Sequence, residues 1–205
     1  MVTYDARVRA RRADLEALAP RAVVCGLDEL GDMPAGARLY ATCGDEDARA
    51  YAGRPPAALA DADAVLVNEA EARLLTGEPS AAEAAERLAT LAGTAVVTLG
   101  ARGAVGVVDG RRVSAPGVDA GPAIDTTGAG DLFAAAYAWA DLRGAEPEDR
   151  LRWAALYAAL SVTVPTGTAG AVTEARLIEE GTKRCLGELP APAGRASSGM
   201  SSSKG

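Results

Sequence analysis

An aspartate that follows a glycine-rich turn and opens an apolar helix is equipped for proton chemistry beside a bound anion. Asp125-Thr126-Thr127-Gly128-Ala129-Gly130-Asp131 has that form. Gly128 and Gly130 permit backbone angles closed to residues with a Cβ, and the small Ala129 between them leaves the loop amides uncovered. Leu132 to Ala140 reads as a buried helix, so the N–H groups of its first turn face the loop and form an anion site. Asp131 then has two roles open to it. It can cap the helix, a gain of a few tenths to about 1 kcal/mol. It can also act as a general base, taking a proton from an alcohol while the Gly128, Ala129 and Gly130 amides hold a phosphoryl group in flight. Glycine-rich helix starts are common, so the spacing alone leaves both roles open.

The elements that must position this loop are legible from the apolar runs. Ala22–Cys25, Leu39–Thr42, Ala64–Val67 and Ala95–Leu99 are short β-type runs, and helix-like stretches separate each later run from the next. Strands alternating with helices predict an α/β fold, a three-layer α/β/α sandwich with a mostly parallel sheet and ligands beyond the carboxyl ends of its strands. Asn68 and Gly100 lie at such ends. By type alone Asn68 is a turn or helix cap, Gly100 and Gly103 are a strand-to-turn pair, and Arg102 is a solvated loop arginine.

Ser80 with Glu83 starts a capping-box-like helix running through Leu91, apolar on one side and charged on the other. Ala104–Val108 and Arg111–Ser114, joined by Asp109-Gly110, predict a hairpin with a type I′ turn that finishes one edge of the sheet. Pro147 opens a helix to about Val162, and Thr173-Glu174 starts a last one toward Cys185. At the front, Met1–Tyr4 is strand-like and Asp5–Leu18 is a helix or irregular arm ending at Pro20. One domain over residues 1–186 is expected, with a disordered Gly/Pro/Ser/Ala tail over 187–205.

Composition narrows the function classes. Apolar residues make up 49% of the 205 positions but aromatics only 4%, so the core should be small-residue-rich. A net charge of −7 argues against nucleic acid or an anionic membrane as the main partner. The basic cluster Arg7–Arg12 is flanked by Asp5, Asp14 and Glu16 and reads as a solvated helix face. The chain has 0 histidines, and Cys25, Cys43 and Cys185 are far apart, which disfavours a zinc site, a Ser-His-Asp triad or a disulfide framework. A soluble protein of the reducing cytoplasm is expected.

Three segments arrive in a fixed order: Asn68-Glu69-Ala70-Glu71, Thr98-Leu99-Gly100-Ala101-Arg102-Gly103, and Asp125 to Asp131. Together they resemble the C-terminal signatures of the ribokinase-like, PfkB-type carbohydrate kinases, over about Tyr4 to Ala171. The resemblance implies that Asp131 is the catalytic base and that Gly128, Ala129 and Gly130 form the anion hole. It implies that Asn68 and Glu71 position Mg2+ and the ATP phosphates, largely through water. Thr98, Gly100, Arg102 and Gly103 would form the nucleotide-side loop, with Ala155 near the adenine. Asp125 and Thr127, with carbonyls from Val164 to Gly167, would hold a monovalent cation such as K+.

The relatives' N-terminal strands, β lid and sugar contacts normally precede the stretch resembling Met1–Tyr4, so the resemblance implies an N-terminally truncated kinase domain. The loss would expose a sheet edge and favour a homodimer. Three activities remain open: a kinase for a sugar or sugar-like alcohol, a kinase for a nucleoside or vitamin precursor, and a nucleotide-binding remnant without chemistry.

Overall fold

The computed structural model describes residues 12–165 and 170–190. The expectations for Met1–Tyr4, most of the Arg7–Arg12 cluster, residues 166–169 and the tail from 191 onward lie outside the described residues. In chain order come α1 (Arg12–Leu18), β1 (Ala22–Gly26), β2 (Arg38–Thr42), α2 (Asp45–Ala50) and β3 (Ala64–Asn68). Then follow α3 (Glu69–Thr76), α4 (Ala81–Ala92), β4 (Ala95–Thr98), β5 (Gly103–Val108) and β6 (Arg111–Pro116). The remainder is helical: α5 (Ala129–Leu142), α6 (Pro147–Ser161) and α7 (Glu174–Lys183).

The 6 strands lie side by side in sequence order. β1 to β4 run parallel, and β5 and β6 complete the sheet as an antiparallel hairpin. Its turn is the one expected: Asp109 at φ 50° and Gly110 at φ 74° are both left-handed, as a type I′ turn demands. Because successive strand residues leave on opposite faces, each parallel strand feeds two cores. Val65, Val67, Ala95 and Val97 pack under α3 and α4, whereas Tyr40, Leu66 and Val96 pack under α5 and α6. The result is the three-layer sandwich.

Alanine lets these layers approach closely. Ala84 and Ala85 of α4 and Ala134 and Ala136 of α5 are buried against the sheet. A third cluster joins Ala140, Trp153 and Leu156 to Leu177 of α7, and Leu186 and Leu189 pack on it, so the chain stays against the domain to the end of its described part.

A buried ionic network, which no local pattern announces, pins α5 to the sheet and to α6. The Asp141 carboxylate is met by Arg38 Nη1 at 2.7 Å, Arg150 Nη1 at 3.0 Å and the donating Tyr40 hydroxyl at 2.5 Å. Arg150 also reaches Asp109 in the hairpin turn at 3.0 Å. Burial, together with the hydrogen bond to Asp141, pushes the Tyr40 phenol well above its ordinary value.

Among the described residues β1 is a sheet edge. Leu27 N–H donates to Thr42 O, and Arg21 O accepts from Arg38 N–H, so the backbone groups of Ala22 and Val24 face away from β2. The Val24 side chain is 39% exposed. At the end of the strand Glu29 accepts the Gly26 N–H at 3.0 Å.

Candidate active site

The loop leading into α5 is tethered at its base. Val162 O, at the end of α6, accepts the N–H of Ile124 at 2.7 Å and of Asp125 at 3.3 Å. Asp125 Oδ1 accepts the Thr127 N–H at 2.9 Å, closing a short Asx turn. Gly128 then sits at φ 78°, a left-handed angle that justifies its lack of a side chain.

Gly130 is different. It has an ordinary helical angle, and a Cβ built there would meet nothing within 4 Å. Its smallness keeps space open at the helix start rather than permitting a turn. The Ala129 N–H donates to Thr126 O at 3.2 Å, whereas the N–H groups of Gly130 and Asp131 lie in the first turn and lack an intrahelical acceptor.

Asp131 is the third residue of α5, and its side chain is exposed. The helix is capped by Gly128 without any side-chain hydrogen bond, so capping does not account for the carboxylate. Its negative charge is felt across the gap by Glu71 of α3.

Glu71 is 7% exposed. It forms a reciprocal capping box with Asn68: Glu71 Oε2 accepts the Asn68 N–H at 2.8 Å, and Asn68 Oδ1 accepts the Glu71 N–H at 2.9 Å. The cap expected from residue type alone is therefore built. It uses only one carboxylate oxygen. Burial, reinforced by the charges of Asp45 and Asp131, pushes the Glu71 carboxyl above its ordinary value despite the Asn68 hydrogen bonds.

On the other side of the loop lies a cleft of about 620 Å³. Thr98, Gly100 and Gly103, from the end of β4 to the start of β5, line it together with Ala129 and Gly130 of α5 and Ala155 of α6. Six of the residues singled out in the sequence thus share one cavity. Asn68, Glu71, Asp125, Thr127, Gly128 and Asp131 are not on its wall.

Gly103 has its own structural duty. At φ 99° a Cβ there would come 2.1 Å from Ala115 O, so glycine is required by the close approach of β6. Arg102 is exposed and ion-paired with Glu69 rather than directed at the cleft. Sequence reading missed Gly117, Val118, Asp119, Ala120 and Gly121, which close the cleft from the segment between β6 and α5. The Gly-x-x-x-Gly spacing of that segment was the available signal.

Could this site accept a divalent ion? The buried Glu71 carboxylate, crowded by two others, is a place where positive charge relieves repulsion. Yet among the described residues no group of three or more His, Cys, Asp or Glu could hold a metal unaided.

A family model described as pfkB family carbohydrate kinase matches residues 41–174, well over half the chain. The chain belongs to the pfkB family. Ribokinase from Arabidopsis thaliana is 35% identical over 111 residues, covering 50% of this chain and 29% of the relative. The structure of that plant's ribokinase complexed with ribose and ATP superposes with a TM-score of 0.58 at 28% identity, over 70% of this chain and 47% of that one. A nucleoside kinase from Burkholderia thailandensis in complex with inosine gives a TM-score of 0.68 at 22% identity, over 83% of this chain and 58% of that one. The chain therefore spans less than two thirds of each of these relatives' lengths. The described part of this pfkB domain contains the glycine loop, the Asn68–Glu71 pair and the cleft.

Proposed function

We propose that this protein catalyses ATP-dependent phosphoryl transfer to a hydroxyl of a sugar or sugar-like compound. The observation that supports the proposal is an exposed Asp131 in the first turn of α5, next to Ala129 and Gly130, which line the cleft. In this reading the nucleoside lies along the Ala155 wall and the γ-phosphate reaches the Gly130 and Asp131 amides. The acceptor alcohol gives its proton to the Asp131 carboxylate as its oxygen bonds to phosphorus, and the bond from phosphorus to the ADP oxygen breaks. The amides stabilise charge on the transferring group. Glu71, with Asn68, would hold Mg2+ through water, and the ion would neutralise phosphate charge. The resemblance further assigns a monovalent cation to Asp125 and Thr127.

The test is a coupled ADP-release assay with ATP, Mg2+ and a panel of sugars and nucleosides, run in potassium and in choline salts. Turnover on a sugar is expected, lost on chelation. The fold likeness to a nucleoside kinase favours a nucleoside acceptor as the second reading. ATP binding without turnover on any panel member would leave the nucleotide-binding remnant instead.

A homodimer belongs to the same proposal. Antiparallel pairing of two β1 edges through Ala22 and Val24 would use the backbone groups that face away from β2. Sedimentation velocity should then show a concentration-dependent dimer that Val24→Lys removes; a monomer at every concentration would refute it. The compartment we infer is the cytoplasm, since Cys25, Cys43 and Cys185 are unpaired thiols and burial pushes Cys25 up to about 11. Recovery from an extracytoplasmic fraction would contradict that. Among the described residues no helix is long and apolar enough to cross a membrane.

A further inference from the structure

Of the described residues that line the 620 Å³ cleft, Asp119 alone has an ionisable side chain. Asp119 is exposed, most of the other lining residues are small or apolar, Ala155, Ala158 and Val162 among them, and no lysine or arginine lines the cleft to bind phosphate there. A carboxylate in such a place repels a triphosphate and attracts neutral donors. Its position is also fixed. A Cβ on Gly117, two residues earlier, would come 1.9 Å from Ala101 O, so the root of the segment is held directly against the loop after β4. Asp119 Oδ1 accepts the Gly121 N–H at 3.0 Å, closing an Asx turn that uses one carboxylate oxygen and leaves Oδ2 to accept another hydrogen bond.

We infer that Asp119 selects the nucleotide, its carboxylate accepting a hydrogen bond from an uncharged donor of the nucleoside, either a ribose hydroxyl or the exocyclic amine of the base. The inference rests on the nucleotide reading of the cleft. Electrostatics gives the bound nucleotide its direction. The phosphates lie at the first turn of α5, where the helix presents N–H groups and positive potential, and the nucleoside lies toward Asp119. Asparagine makes the decisive variant. Its Oδ1 keeps the Asx turn, but its second position becomes an N–H donor that opposes a donor on the ligand.

Calorimetric titration of the whole chain with ATP, 2′-deoxy-ATP, 3′-deoxy-ATP and inosine triphosphate tests this. Asp119→Asn should weaken ATP binding about tenfold or more, the loss expected for a hydrogen bond to a charged group. One analogue should bind wild type and variant equally weakly. A deoxy analogue would identify the ribose donor, and inosine triphosphate would identify the amine. Unchanged ATP affinity in Asp119→Asn overturns the inference. So does weakening in Asp119→Ala alone, which would mean that the carboxylate only builds the turn. Equal weakening of all four nucleotides would indicate a change in the shape of the cleft without a specific hydrogen bond and overturns it too. If wild type binds no ATP, the nucleotide reading fails first and the inference falls with it.

Discussion

Replacing Asp131 by Asn lowers the rate of phosphoryl transfer by about 10²–10⁴-fold, the range for loss of a positioned general base, and leaves ATP affinity almost unchanged. The split between chemistry and binding follows from geometry. Asp131 is not on the wall of the cleft, so a nucleotide there has little contact with its side chain. It also makes no capping bond whose loss would unsettle α5. Asparagine is close in size and donates no less to its surroundings, but it cannot take a proton from an alcohol. The measurement is kcat on the best acceptor from the panel, set beside the dissociation constant for ATP. A variant that keeps its turnover would remove Asp131 as the base, and one that loses ATP binding in proportion would make it a binding residue instead.

Asp141→Ala should cost about 3–5 kcal/mol of folding stability, the usual result of removing one partner from a buried ion pair. Asp141 is buried, and Arg150, with a side chain only 12% exposed, would be left facing an apolar interior with Asp109 as its remaining carboxylate. Tyr40 would also lose the acceptor for its hydroxyl. Arg38 matters less, because its side chain is 43% exposed and water screens its share. Arg150→Met should accordingly destabilise more than Arg38→Met. Urea unfolding measures all three. A loss below about 1 kcal/mol for Asp141→Ala would mean that the network is idle.

The parts of this fold that could be read in the sequence are those governed by neighbours along the chain. The alternation of apolar runs, the Asp109-Gly110 turn, the Ser80 cap and the left-handed Gly128 each depend on a few adjacent residues, and each appears where expected. The glycine loop was legible as a helix start for the same reason. Other features were not. The Asp141 network draws on Arg38, Tyr40, Asp109 and Arg150, which only the packing of α5 and α6 on the sheet brings together. Gly130 looked like a turn residue but serves as empty space, a distinction visible only when the surroundings are known. Asp119 was overlooked because a turn aspartate between two glycines looks ordinary until the cleft beside it is seen.

The division of labour within one carboxylate has a consequence of its own. Glu71 holds the start of α3 with one oxygen and faces Asp45 and Asp131 with its charge, so any cation that settles among these groups also tightens the backbone at Asn68. Occupancy of this group of carboxylates by a cation would then be written into the solvent exchange of two amide protons, at positions 68 and 71. Acidification would act in the opposite sense: as pH falls through the raised Glu71 pKa, the carboxyl takes up a proton, its attraction for the ion fades, and those amides loosen.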